Sequence, residues 1–122
     1  LLIVAALPLD LMQELEEITH SLGMNVLVEV HNQEELDLAL QLKTSLLGIN
    51  NRNLKTFDVS LNTTLDLIKN INADKIIVTE SGIFTSDDVK LMQDYHVNTF
   101  LIGEAFMRES DPGNSLKTLF QF

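Results

Sequence analysis

The stretch Lys75-Ile76-Ile77-Val78-Thr79-Glu80-Ser81-Gly82-Ile83-Phe84-Thr85-Ser86 decides the fold. Lys75 to Glu80 reads as a strand, Ser81-Gly82 turns the chain, and Thr85 or Ser86 caps a helix containing Val89, Leu91 and Met92. Strand, turn and capped helix form one unit, and the unit recurs in both directions. Upstream, Leu46-Leu47-Gly48-Ile49-Asn50 is a strand, and the polar connection from Asn51 to Ser60 leads to a helix through Thr64, Leu65, Leu67 and Ile68. Before it, Val26 to Val30 is a strand. Asn32 is its helix N-cap, with Glu35 three residues on as a capping box, and Leu36, Leu38, Ala39, Leu40 and Leu42 fill the helix. The first unit opens with Leu1 to Leu7, a short continuous apolar run of the kind buried on both faces. Leu11, Leu15, Ile18 and Leu22 then recur at helical spacing, and Gly23 ends that helix at C′. Downstream, Asn98 to Gly103 is the last strand, Glu104 to Arg108 a short helical turn, and Ser115 to Phe120 a final helix after Pro112-Gly113.

Strict alternation of strands and helices predicts βαβ units and a parallel sheet. Right-handed crossovers leave two architectures, an open doubly wound sheet or an arc of a barrel. No Gly-x-Gly-x-x-Gly follows the first strand and no Walker sequence is present, which counts against the nucleotide-binding versions. The chain starts inside an apolar run, without Met, and is therefore expected to be a fragment.

With 122 residues, 45% of them hydrophobic, the chain has one domain at most and enough apolar surface for a packed core. The formal charge of −10 argues against a nucleic-acid partner, because phosphate backbones are held by Lys and Arg. A small anionic substrate is compatible with it, since a local site can differ in sign from the surface. The absence of cysteine removes disulfides, thiol catalysis and cysteine metal sites. No apolar run approaches the roughly 20 residues of a membrane helix. No His/Asp/Glu cluster has metal-site spacing, so no metal is expected.

Three successive strands end in Glu29, Asn50 and Glu80. Active sites of parallel α/β folds lie at the C-terminal ends of the strands. Two carboxylates near one mouth can have their proton affinities pushed apart, giving one acid and one base. Against this, a Glu at a strand end is often simply solvated; it is the repetition at equivalent positions that makes the three stand out. Gly82 and Gly103 follow the last two strands, where backbone N–H groups can hold a phosphate because no Cβ blocks its approach. Turn glycines would look the same. Arg52, just past Asn50, is a candidate for anion contact or for pairing with Glu29 or Glu80; the ordinary alternative is a surface ion pair. His31 follows the Glu29 strand and lies near the mouth as a residue supporting the site. His20 and His96 are assigned to helices without ligand partners. Ser81 has no nearby His or Lys in sequence to make it a nucleophile.

The strings LVEV, GINNRNL, VTESGI and FLIGEAFMR, in this order and at these distances, resemble the indole-3-glycerol phosphate synthase family over essentially the whole chain. The resemblance implies a partial (β/α)₈ TIM barrel covering strands 4 to 8, with residues 1–122 as its C-terminal half, a single domain, and the N-terminal half missing. It implies a cytoplasmic lyase of tryptophan biosynthesis that closes 1-(2-carboxyphenylamino)-1-deoxyribulose 5-phosphate into indole-3-glycerol phosphate, releasing CO₂ and water without a cofactor. By similarity, Glu29 takes part in proton transfer, Asn50 orients substrate and acidic groups, and Glu80 and Ser81 line the substrate pocket. Arg52 matches a basic loop residue contacting that network, and Gly82 and Gly103 match phosphate-binding backbone positions. Glu104, beside them, is the third phosphate-binding position and falls where some members carry Ser. If the phosphate uses only its backbone N–H the change is tolerable, whereas an inward carboxylate would repel it, so Glu104 is expected to point away or the site is weakened. The family's catalytic lysines lie on strands 1 and 3, which are expected to be absent, so the chain alone is expected to be inactive.

Two other readings compete. One is a catalytically dead fragment that self-associates through the open strand edges of a partial barrel. The other is a different phosphate-binding barrel enzyme such as phosphoribosylanthranilate isomerase, disfavoured because that family resemblance would require a Cys.

Overall fold

The computed structural model describes residues 1–121. Its strands are β1 (Leu2–Ile3), β2 (Leu27–Val30), β3 (Leu46–Asn50), β4 (Ile76–Glu80) and β5 (Thr99–Leu101). Its helices are α1 (Leu9–Ser21), α2 (Gln33–Ala39), α3 (Asn62–Leu67), α4 (Ser86–Asp94), α5 (Glu104–Met107) and α6 (Pro112–Phe120). All neighbouring strands pair in parallel, and their order in the sheet is their order in the chain. A doubly wound sheet would reverse direction at some point; sequential order with right-handed crossovers keeps the connecting helices on one face. The architecture is therefore the arc of a (β/α) barrel. No described helix is long and apolar enough to cross a membrane.

Strand alternation separates two faces. Val28, Val30, Leu47 and Ile49 turn outward and form one core with Met12, Leu36, Ala39 and Leu67. A second core joins Ile83, Val89, Met92, Val97 and Leu119. The opposite face carries Glu29, Gly48, Asn50, Val78 and Glu80, and it is the concave one. Ile76 and Leu101 share that face by alternation and register and are 48% and 49% exposed, whereas Glu29, Val78 and Glu80 on the same face are buried.

The local signals act as their chemistry requires. α1 ends in a Schellman motif: Met24 N–H reaches Thr19 O, Gly23 N–H reaches His20 O, and Gly23 takes φ +71°. Thr85 caps α4 and exchanges hydrogen bonds with Asp88 in a full capping box. Several boundaries differ from expectation. The first strand is only two residues, because Val4–Ala6 tighten into a 3₁₀ turn before Pro8. α6 begins at Pro112 rather than Ser115, since Asp111 caps it by accepting the Asn114 N–H, and a proline suits the first helical turn. His96 lies outside α4: it takes φ +64° just beyond the helix, where Val97 N–H returns to Met92 O. At α2, Asn32 caps as expected by accepting Glu35 N–H, but the Glu35 carboxylate bonds His31 N–H instead of returning to the cap.

Two buried polar ties hold the units in register. The Glu16 carboxylate, on α1, accepts Lys43 N–H at 3.0 Å and Thr44 N–H at 2.6 Å. At the other end, Asn51 Oδ1 accepts from Thr64 N–H and Oγ1, while its Nδ2 donates to Thr79 Oγ1 and Ser81 O. Asn51 is thus fully satisfied and fixes α3 and the 51–60 connection onto β4. Neither tie was singled out from the sequence.

Candidate active site

The concave mouth is built by register. Asn50 pairs with Glu80, and Glu29 pairs with Gly48, so the three polar strand ends converge on one small area. Asn50 Nδ2 donates to Glu29 Oε1 at 3.1 Å, and Asn50 Oδ1 accepts Arg52 N–H at 3.0 Å. The amide is thereby held with its donor end on the carboxylate. Gly48 makes room for Glu80: a Cβ at Gly48 would stand 2.1 Å from Glu80 Oε1. Glu80 lies across that gap toward Glu29, 3% exposed, with its Oε1 making no hydrogen bond. Burial, then the shared hydrogen bond with Glu29, then the Glu29 charge push the Glu80 carboxyl up to about 8. Its place beside Glu29 therefore favours the protonated form of Glu80, the kind of environment that sets one strand-end carboxyl apart as an acid.

A cavity of about 360 Å³ opens beside the pair, where β4 and β5 end. Arg52, Glu80, Ser81, Gly82, Gly103 and Glu104 all line it. The polypeptide reaches it through an unusual turn, Ser81 at φ +63° followed by Gly82 at φ +79°. A side chain at Gly82 would also strike Val59 Cγ1 at 2.7 Å, so this glycine is fixed by packing as well as by conformation. Gly103 differs: a Cβ there would meet nothing within 4 Å.

Arg52 does not pair with Glu29 or Glu80. Its Nη2 meets Glu104 Oε2 at 2.5 Å, and Arg108 holds the other oxygen of the same carboxylate. The physical reason is reach: Arg52 lies past the strand end, level with the start of α5, whereas Glu29 and Glu80 lie deeper on the sheet. Glu104 is not directed away from the cavity, as expected from its charge, but its carboxylate is occupied by two guanidinium groups. Lys75 sits at the opposite end of β4, where its Nζ donates to Thr44 O. His31, expected near the mouth, is there: its Nε2 lies 3.2 Å from Glu29 Oε1. His20 lies on α1, away from the mouth.

The family model described as indole-3-glycerol phosphate synthase matches residues 1–119. Among curated proteins, the indole-3-glycerol phosphate synthase of Chromobacterium violaceum is 63% identical over 98% of this chain, and that of Aromatoleum aromaticum 62% identical over 98%. The chain spans 45% and 46% of the length of these two relatives. Among solved structures, the BexX/CysO complex of Amycolatopsis orientalis superposes with a TM-score of 0.69 over 93% of this chain and 45% of that chain; at 16% identity the likeness is one of fold. These matches set aside the isomerase reading. They do not carry the expected assignment to a C-terminal half with strands 4 to 8, which gives way to the coarser description of five consecutive parallel strands of a barrel.

Proposed function

The chain belongs to the indole-3-glycerol phosphate synthase family, and on that premise we propose that the complete barrel of which it forms part closes 1-(2-carboxyphenylamino)-1-deoxyribulose 5-phosphate to indole-3-glycerol phosphate. The observation that carries the reading is the Glu29–Asn50–Glu80 cluster, in which Glu80 is buried beside Glu29 and pushed toward its protonated form. Ring closure, loss of CO₂ and dehydration need protons delivered to and removed from neighbouring atoms of one substrate, and a carboxylic acid beside a carboxylate can serve both directions. Glu29 is the proton acceptor, Glu80 the donor, and Asn50 the group that orients Glu29. No cofactor enters this chemistry, and the enzyme is assigned to the cytoplasm.

The cavity beside the pair takes the phosphate. Backbone N–H groups at Gly82 and Gly103 face an anion best where no side chain intervenes, and Gly103 offers open space. Arg52 and Ser81 complete the binding surface, with Glu104 held by Arg52 and Arg108. A phosphate entering here competes with Glu104 for Arg52. None of the five strands ends in a lysine, so the cationic acid that the substrate ketone calls for comes from the remaining strands of the barrel.

The test is indole fluorescence on adding the substrate to the complete enzyme, beside its Glu29→Gln variant. Turnover that falls by about a hundredfold or more in the variant, the scale expected for a positioned acid–base group, supports the reading. Equal turnover in both contradicts it. The isolated 122-residue chain, on the same reading, is inactive and associates through the exposed Ile76 and Leu101 and its β1 and β5 edges. A light-scattering mass of one chain, together with a fully folded near-UV spectrum, counts against that association.

A further inference from the structure

His31 touches Glu29, and the chemistry above gives it no task. Its ring is nearly enclosed, with 11% of the side chain exposed, and it is bracketed by two carboxylates. On one side Nδ1 lies 3.0 Å from Glu35 Oε2, and the same oxygen accepts the His31 backbone N–H at 2.7 Å. On the other side Nε2 lies 3.2 Å from Glu29 Oε1, which also accepts Asn50 Nδ2. Nε2 is buried and makes no hydrogen bond in this geometry.

A proton count decides what this row can do. Two contacts, Glu35 to Nδ1 and Nε2 to Glu29, each need one proton. A neutral imidazole between two carboxylates brings only one. Glu35 takes it first, because its oxygen lies nearer, 3.0 Å from Nδ1 against 3.2 Å between Nε2 and Glu29, and the partner of one ring nitrogen sets the state of the other. Nε2 then faces the Glu29 oxygen with a lone pair until a second proton arrives. The Glu35 carboxylate has left its usual reciprocal capping bond to make this arrangement, which a plain helix cap would not require.

We propose that His31, anchored by Glu35, is a positioning residue that receives and returns the proton handled by Glu29. When Glu29 takes a proton from substrate, that proton can pass to Nε2, leaving Glu29 as carboxylate and His31 as imidazolium; the reverse transfer restores the resting row. No other bond changes. The groups facing this row are Glu29 on β2, Glu35 on α2 and, beyond Glu29, Glu80 on β4. The proposal rests on the catalytic reading of Glu29.

The experiment uses the complete enzyme carrying this chain, with His31→Leu, His31→Gln and Glu35→Gln variants. Nitrogen-15 NMR of the wild type should place the resting ring proton on Nδ1, and Glu35→Gln should shift that balance. His31→Leu should lower kcat about tenfold or more, as expected when a reacting group loses its orientation, with KM changed less than about twofold and one limb of the kcat–pH profile displaced. His31→Gln, which keeps a donor near Glu29 but cannot titrate, should recover part of kcat while the profile stays displaced. A resting proton on Nε2 overturns the proposal. So do unchanged kcat and pH profile in a folded His31→Leu or Glu35→Gln variant, which would leave His31 as part of a helix cap. Should the wild type form no indole product, the functional reading fails on its own, and the nitrogen-15 result alone decides the Glu35–His31 row.

Discussion

Gly48→Ala tests whether Glu80 owes its proton to where it lies. The added Cβ would stand 2.1 Å from Glu80 Oε1, 3.1 Å from Glu80 Cδ and 3.3 Å from Leu27 Cδ1. An ordinary carbon–oxygen contact is about 3.3 Å, so the carboxyl must retreat by about 1.2 Å. Gly48 sits in the middle of β3, paired on both sides, so the backbone cannot yield as readily as the side chain. Glu80 then swings from Glu29 toward the open cavity. Burial, the shared bond and the Glu29 charge all weaken together, so its titration midpoint should fall from about 8 toward the ordinary 4.5. A misplacement of about 1 Å at reacting groups costs on the order of a hundredfold in rate. Overpacking costs about 1–3 kcal/mol of stability, at the lower end here because the displaced carboxyl gains water. Carbon-13 titration of the Glu80 carboxyl in wild type and variant reads the first effect, and kcat of the complete enzyme reads the second. A folded variant in which Glu80 still titrates near 8 and kcat is unchanged would mean that the space left by Gly48 does not set the state of Glu80.

Three further outcomes follow from the same structure. Because the folded-state value of Glu80 is raised, the native protein binds more protons than the unfolded chain between pH 4.5 and about 8, so stability declines as pH rises through that window. Urea unfolding at several pH values should show the decline, and Glu80→Gln should flatten it. Asn51→Ala should destabilise by about 2–4 kcal/mol in chemical denaturation, since it strands buried donors and acceptors on Thr64, Thr79 and Ser81 at once. Glu104→Ser should lower KM about fivefold in the complete enzyme, corresponding to the ~1 kcal/mol of a partly exposed ion pair released from Arg52; a raised KM would mean that Glu104 orients Arg52 for binding.

The alternation of strand and helix was legible because buried parallel strands are apolar runs and because capping residues mark helix starts. Gly23 and Thr85 illustrate this: each solves a local backbone problem that needs no tertiary information. Glu29, Asn50 and Glu80 were legible for a related reason, since position in the βα unit fixes which end of a strand a residue occupies. What stayed hidden depends on three-dimensional register. Nothing local says that Gly48 vacates space for Glu80, that Asn51 rather than Asn50 is the buried structural amide, or that Glu16 closes two N–H groups some 27 and 28 residues away. Arg52 went to Glu104, 52 residues on, because the choice between carboxylates is set by depth on the sheet and not by sequence spacing. The Glu35 capping signal was read correctly as to position and wrongly as to partner, since the backbone it bonds is that of the residue before the cap.

The pair formed by Glu29 and Glu80 is proposed to work only inside a complete barrel. Indole fluorescence after adding the carboxyphenylamino-deoxyribulose phosphate to the 122-residue chain, with the complete enzyme alongside, tests it most directly. The complete enzyme should form indole product rapidly and the chain alone none. Turnover by the chain alone that exceeds its own Glu29→Gln variant would contradict it, because the reaction would then need no cationic acid from the remaining strands of the barrel.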